Sequence, residues 1–142
     1  MNNNISYYYY PGLNTNSQIQ IRRKYNDKNT CITADEIIHI VADVFNVSKE
    51  DIISSSRIHN ICRARTAAQA LMRHFTLMTF QEITHAVRRE NHATAIHHIN
   101  QSKNWVNTYL EYSDYYKIAF EYCSSINKQY RHNEQNTSDI QN

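Results

Sequence analysis

The chain has 142 residues, with one glycine (Gly12), one proline (Pro11), 11 tyrosines, 8 histidines and a formal net charge of +2. A single glycine excludes the Walker A loop and the dinucleotide fingerprint, which each need at least two, and the scarcity of glycine and proline disfavours tight-turned β architectures and favours helix. The three cysteines, Cys31, Cys62 and Cys123, form no C-x-x-C pair and no apolar run approaches a membrane span, so a cytoplasmic protein with reduced thiols and no cofactor is expected.

Residues 1–30 are rich in asparagine and tyrosine, with the run Tyr7 to Tyr10 and the basic triplet Arg22-Arg23-Lys24. No helical or alternating period persists there. The segment reads as a disordered or weakly ordered arm, with tyrosines stacking on unpaired bases as the alternative. The domain proper is expected over 31–127, followed by a polar tail over 128–142.

Inside the domain the periodicity is helical. Thr33 and Glu36 form a capping box, and Ile37, Val41, Val44 and Phe45 then make a one-sided apolar stripe, predicting a helix from about 34 to 46. Ser48 to Asp51 repeats the capping pattern before Ile52 and Ile53, predicting a short helical turn that Ser54, Ser55 and Ser56 break. A loop through His59 follows. The alanine-rich stretch from about Cys62 to Phe75 favours helix intrinsically and lets another helix approach closely.

Thr79 and Glu82 form another capping box, opening a short helix through Val87 with Phe80, Ile83 and Val87 inward. After a break at Arg88 to Asn91, a helix from His92 is expected to turn Ile96 and Ile99 inward, toward Trp105. A last amphipathic helix from Asp114 to Ile126 is expected to bury Tyr115, Ile118, Ala119 and Tyr122. The fold class is therefore all-α, a compact bundle of about five or six helices. The pair at 80–87 and 92–104 makes a helix-turn-helix whose second member would be the reading helix.

Charge is distributed unevenly along this stretch. Between residues 57 and 98 the cations are Arg57, Arg63, Arg65, Arg73, Arg88 and Arg89, opposed by Glu82 and Glu90, while every lysine lies elsewhere. Arginine reads guanine edges bidentately and enters narrow minor grooves, which lysine does less well.

The stretch Ile61-Cys62-Arg63-Ala64-Arg65-Thr66-Ala67-Ala68-Gln69-Ala70-Leu71, then Glu82-Ile83, then Asn91-His92-Ala93-Thr94-Ala95, resembles the C-terminal DNA-binding domain of the bacterial replication initiator DnaA over roughly Ile32 to Ile126. The resemblance implies a minor-groove role for Arg57 and phosphate contacts for Arg63, Arg65, Thr66 and Arg73. It also implies that Asn91, His92, Ala93 and Thr94 face the major groove. Arg88 and Arg89 stand where the family has two glycines, beside a phosphate backbone, and Glu90 stands where a cation is expected. Asn91 replaces the family's aspartate, and either pairs with adenine or serves as a plain N-cap.

These readings imply a sequence-preferring binder of double-stranded DNA, a replication or transcription regulator of bacterial or phage origin, without an ATPase of its own. Origin melting would then need a partner, a replication initiator or another protein. The competing expectation is a protein-interaction module that kept the fold and lost specific DNA reading, motivated by Tyr109, Tyr112, Tyr115, Tyr116 and Tyr122. No enzyme is expected, since His92, His97 and His98 do not share one helical face at metal-ligand spacing. His39 and His85 are expected to be buried or at the core boundary.

Overall fold

A computed structural model describes residues 32–141, with side chains through Gln129. The tyrosine-rich arm, Gly12, Pro11 and Cys31 lie outside the described residues. Helix α1 spans Ala34–Phe45, α2 Lys49–Ile53, α3 His59–Phe75, α4 Phe80–Ala86, α5 His92–Thr108 and α6 Leu110–Gln141. Among the described residues there is no strand.

The three capping boxes form as the sequence predicts. The Thr33, Ser48 and Thr79 hydroxyls accept from the N–H groups of Glu36, Asp51 and Glu82, and those carboxylates accept from the cap N–H groups in return. Each box satisfies free donors at a helix start and fixes where the helix begins. Helix α3 has no such signal, because its N-cap is Ile58 with no side-chain cap bond. It begins at His59, earlier than the expected Cys62, and the loop is correspondingly shorter.

Helix α3 is the axle of the bundle and touches the five other helices of the described residues. That position requires a thin cylinder. Ala64, Ala67, Ala68 and Ala70 are fully buried along it, and their small side chains let neighbouring helices approach closely. Ile37, Val41 and Phe45 of α1, Ile52 of α2, Leu71 and Met72 of α3, Ile83 of α4 and Ile99 of α5 complete the core.

Two expected faces are corrected. On α5, Ile99 is buried, but Ile96 stands on the exposed side and Ala95 and Ser102 take the inward positions. On α6 the buried stripe is Tyr112, Tyr116, Ala119 and Cys123, while Ile118 is 44% and Tyr122 60% exposed. The spacing of four, three and four residues follows a helix that starts at Leu110 rather than Asp114. Phe45, Trp105, Tyr112 and Tyr116 form the chain of ring contacts that seats it. The backbone stays helical through 128–141, the stretch expected to be a polar tail, since no glycine or proline follows to end it.

Cys123, buried against α1, is a free thiol whose pKa is pushed up to about 12 by burial and then by Glu36. Cys62 is also a free thiol, and it is half-buried. His39 and His85, expected at the core boundary, are both exposed; His39 lies 3.6 Å from Asp35 and His85 2.9 Å from Gln81. Asp35 meets Lys49 across the α1–α2 junction, and that hydrogen bond holds its carboxyl below the usual range.

Candidate nucleic-acid interface

The turn between α4 and α5 is a complete Schellman motif. The Arg88 N–H donates to the His85 carbonyl at 2.9 Å and the Arg89 N–H to the Thr84 carbonyl at 2.8 Å, with Arg88 left-handed at φ 56°. Glycine is the usual residue at that position, because a Cβ there crowds the backbone. The chain thus keeps the glycine geometry with an arginine. Among the described residues Asn46, which closes α1 in the same way, is the other non-glycine residue with positive φ.

Helix α5 starts immediately afterwards. The Asn91 side-chain oxygen accepts from the Ala93 N–H at 2.9 Å, so Asn91 serves as the N-cap. Asn91, His92 and Ala93 are exposed and Thr94 half-buried, leaving the first turn of α5 open to solvent. Behind it, Ala95, Ile99 and Ser102 bind the helix to the core. His98 turns back toward α3, where its Nδ1 lies 2.7 Å from Gln69 Nε2. Burial, and then the charges of His97, Arg65 and Arg89, lower its pKa to about 4.

The arginines separate into distinct environments. Arg57 and Arg88 are exposed. Arg65, expected on a phosphate, is only 3% exposed and points into the protein. Its Nε donates to the Ile52 carbonyl at 2.8 Å, its Nη2 to the Asp51 and Ser54 carbonyls at 3.2 and 2.9 Å, and its Nη1 to the Ser56 carbonyl at 3.1 Å. Burial first, and Arg89 second, push the pKa of this guanidinium down. Thr66, the neighbouring phosphate candidate, is buried as well. Neither side chain offers a donor to an outside ligand in this arrangement.

Arg63 leaves α3 on the side away from Arg65, two residues on being about 200° around a helix. It lies 3.8 Å from Glu111 and stands 6.0 Å over the Tyr112 ring. Arg73 packs 4.0 Å over the Phe80 ring and donates to the Met78 carbonyl at 3.3 Å, with burial lowering its pKa. Arg89 is half-buried, and its Nη2 reaches the Ser54 carbonyl at 3.1 Å.

The structure therefore brings together the loop of Arg57, the turn of Arg88 and Arg89 and the open first turn of α5. It draws Arg63, Arg65 and Arg73 into contacts within the chain and buries Thr66. Gln69 and His98 were not identified as a pair from the sequence, where 29 residues separate them. The serine triplet did carry a signal, since serine hydroxyls close local turns. Among the described residues no group of three or more histidine, cysteine, aspartate or glutamate side chains is placed to hold a metal ion. Among the described residues no helix is long and apolar enough to cross a membrane.

A second surface lies between the start of α3 and the α5–α6 junction. His59, Arg63, Trp105, Thr108, Tyr109, Leu110 and Glu111 line a cleft of about 470 Å³. Leu110 at its edge is 76% exposed.

The sequence was also compared with known proteins. Residues 34–101 match the family described as bacterial dnaA protein helix-turn-helix, a span that contains α1 to α4 and the first ten residues of α5. The chromosomal replication initiator protein DnaA of Wolbachia sp. subsp. Brugia malayi is 31% identical over 83 residues, covering 58% of this chain and 18% of the initiator. The initiator of Rhodopseudomonas palustris strain BisB5 is likewise 31% identical over the same shares, and that of a Synechococcus strain is 33% identical over 46% of this chain and 14% of its own length. The chain thus spans less than a fifth of the initiators it matches. Residues 34–101 of this chain, which hold the α4–α5 turn, are thus similar to the bacterial DnaA helix-turn-helix family.

Proposed function

We propose that the chain binds double-stranded DNA, with the first turn of α5 in the major groove and Arg57 in the adjacent minor groove. The observation that carries this reading is the exposure of Asn91, His92 and Ala93 on a helix whose opposite side is locked into the core. A helix start presented in this way suits a groove about 12 Å wide. Arg88 is exposed beside it and holds a phosphate. Asn91 keeps its side-chain oxygen on the Ala93 N–H, so base contact falls to His92, Ala93 and Thr94, with the Asn91 amide nitrogen as an added donor.

The cellular role that fits is a regulator of replication or transcription in a bacterium or its phage, acting in the cytoplasm at the nucleoid. Double-stranded DNA is its partner, and a replication initiator or another protein supplies the motor activity. A second reading, a protein-interaction module, is favoured by a separate surface. Tyr109, Leu110 and the neighbouring cleft, with Ile118 and Tyr122 further along α6, expose apolar area that DNA contact would leave uncovered.

A mobility-shift titration against a duplex selected from a random pool tests the first reading. With few free arginines, log K should fall against log salt with a slope of about −2 to −3, and Arg88→Ala should flatten it by about one unit. Failure to enrich any duplex, or binding indifferent to salt, would leave the interaction module as the function.

A further inference from the structure

Helix α2 ends at Ile53 and leaves the carbonyls of its last turn without partners inside the helix. Arg65 fills that gap from α3, bonding the Asp51, Ile52 and Ser54 carbonyls. A cation at a helix C-terminus also faces the negative end of the helix dipole. Arg89 approaches the same place from the α4–α5 turn, 35 residues away in sequence, and shares the Ser54 carbonyl with Arg65.

The loop beyond α2 is fixed at alternate residues. The Ser54 hydroxyl donates to the Asp51 carbonyl at 2.6 Å and accepts from the Ser56 N–H at 3.1 Å, and the Ser56 hydroxyl accepts from the Ile58 N–H at 3.3 Å. Such serine turns hold a short backbone segment without regular structure. Arg57 is carried outward at their centre, exposed beside Ile58, which is 65% exposed.

We propose that Arg89 is a positioning residue that fastens the turn before the reading helix to the Ser54–Ile58 loop, holding α5 and Arg57 in one register. The proposal rests on the reading in which those two elements enter neighbouring grooves. Registration matters there because Arg65 holds the loop only to α3, at the Ser54 and Ser56 carbonyls, so without Arg89 the α4–α5 turn and the loop of Arg57 could shift against each other, and ordering them on binding would lower affinity. A glycine at 89, as in the resembling family, would lack the tether. Arg89 serves the loop through its inward Nη2, whereas Arg88, exposed on the same turn, serves the phosphate.

Amide hydrogen exchange on the full free chain tests the tether without DNA. Arg89→Ala should speed exchange at Ser56 and Ile58 about tenfold, the scale of one lost charge-assisted hydrogen bond, and Arg89→Lys should restore much of the protection. Unchanged exchange in Arg89→Ala would overturn the proposal. The selected duplex, and a copy with G·C pairs in place of the A·T pairs flanking the major-groove site, supply the second measurement. Arg57→Ala and Arg89→Ala should each lose most discrimination between the two, and the double variant should lose no more than Arg57→Ala. The salt slope of Arg89→Ala should match the wild type. A slope flatter by about one unit with discrimination intact would make Arg89 a phosphate contact and overturn the tether. If the wild type selects no duplex, the DNA reading fails, and the exchange measurement still decides whether Arg89 fastens the loop.

Discussion

Gln69 of the central helix lies with its Nε2 2.7 Å from Nδ1 of His98 on α5, and the same amide nitrogen donates to the Arg65 carbonyl at 3.2 Å. Both amide protons of Gln69 are thus engaged, and the assignment that satisfies them puts the His98 proton on Nε2. The Gln69 carbonyl oxygen is buried without a partner. A polar contact between two helices is directional where alanine packing is not. The pair therefore fixes the rotation of α5 about its axis, and with it the direction in which His92 and Thr94 point.

The burial of His98 makes stability depend on pH. The unfolded chain protonates His98 near its ordinary 6.5, whereas the folded chain resists down to about 4, first through burial and then through His97, Arg65 and Arg89. Between those values the unfolded state binds the extra proton. The stabilisation is complete above about pH 6.5, declines as pH falls toward 4 and is flat below. With an allowance for partial solvent screening, the loss should be about 1 to 2 kcal/mol. Urea titrations at pH 7, 5.5 and 4 should show it, and His98→Gln should remove that part of the decline. Equal pH profiles for the two proteins would show that another group is responsible.

Tyr112 and Ser102 offer a test of α6 docking. Their hydroxyls are 2.7 Å apart and both residues are fully buried. Tyr112→Phe keeps the ring contacts with Phe45 and Trp105 and leaves the Ser102 hydroxyl without this partner. The expected loss is about 1 to 2 kcal/mol, and Ser102→Ala in the same protein should recover part of it, because removing both polar groups avoids an orphan. Strict additivity of the two substitutions in thermal unfolding would mean the hydroxyls do not interact.

Local rules were legible in the sequence wherever the signal was local. Thr33, Ser48 and Thr79 announced their helices through residues three positions away, whereas the left-handed backbone at Arg88 had no such signal, because an arginine gives no sign of positive φ. The start of α3 was not, because Ile58 carries no capping group. The α6 stripe slipped because tyrosines crowd both faces, so composition alone could not choose between Tyr112 and Tyr122. Charge was the least legible property. Arg57 and Arg65 are identical as letters, yet one is exposed and the other caps the end of α2, a difference set by residues 11 to 14 positions back along the chain.

The alanine face of α3 should tolerate little enlargement. Ala68 is fully buried on a helix that touches every other helix of the described residues. Ala68→Leu adds three carbons where neighbouring backbones approach closely, and overpacking of this kind costs about 1 to 3 kcal/mol. The midpoint of urea unfolding should fall with the slope unchanged. A stability equal to the wild type would mean that the helix contacts there are looser than the burial implies.

Arg88→Gly should separate stability from DNA binding. Arg88 and Asn46 occupy the same left-handed position in two Schellman motifs, at φ 56° and 57°. Asparagine reaches that region readily, whereas a long side chain with a Cβ is disfavoured there by about 1 to 2 kcal/mol. Glycine would relieve the crowding but adds about 0.4 to 1 kcal/mol of unfolded-state entropy, so the expected net stabilisation is about 0.5 to 1 kcal/mol. The Arg88 side chain is exposed, so its removal opens no cavity. Asn46→Gly, with less strain to relieve, should be close to neutral. If Arg88 holds a phosphate, the same Arg88→Gly protein should bind duplex DNA more weakly, with a salt slope flatter by about one unit. Higher thermal stability with unchanged DNA affinity would show that the left-handed arginine is tolerated for a reason other than DNA. Lower stability would show that the arginine at this position is not strained.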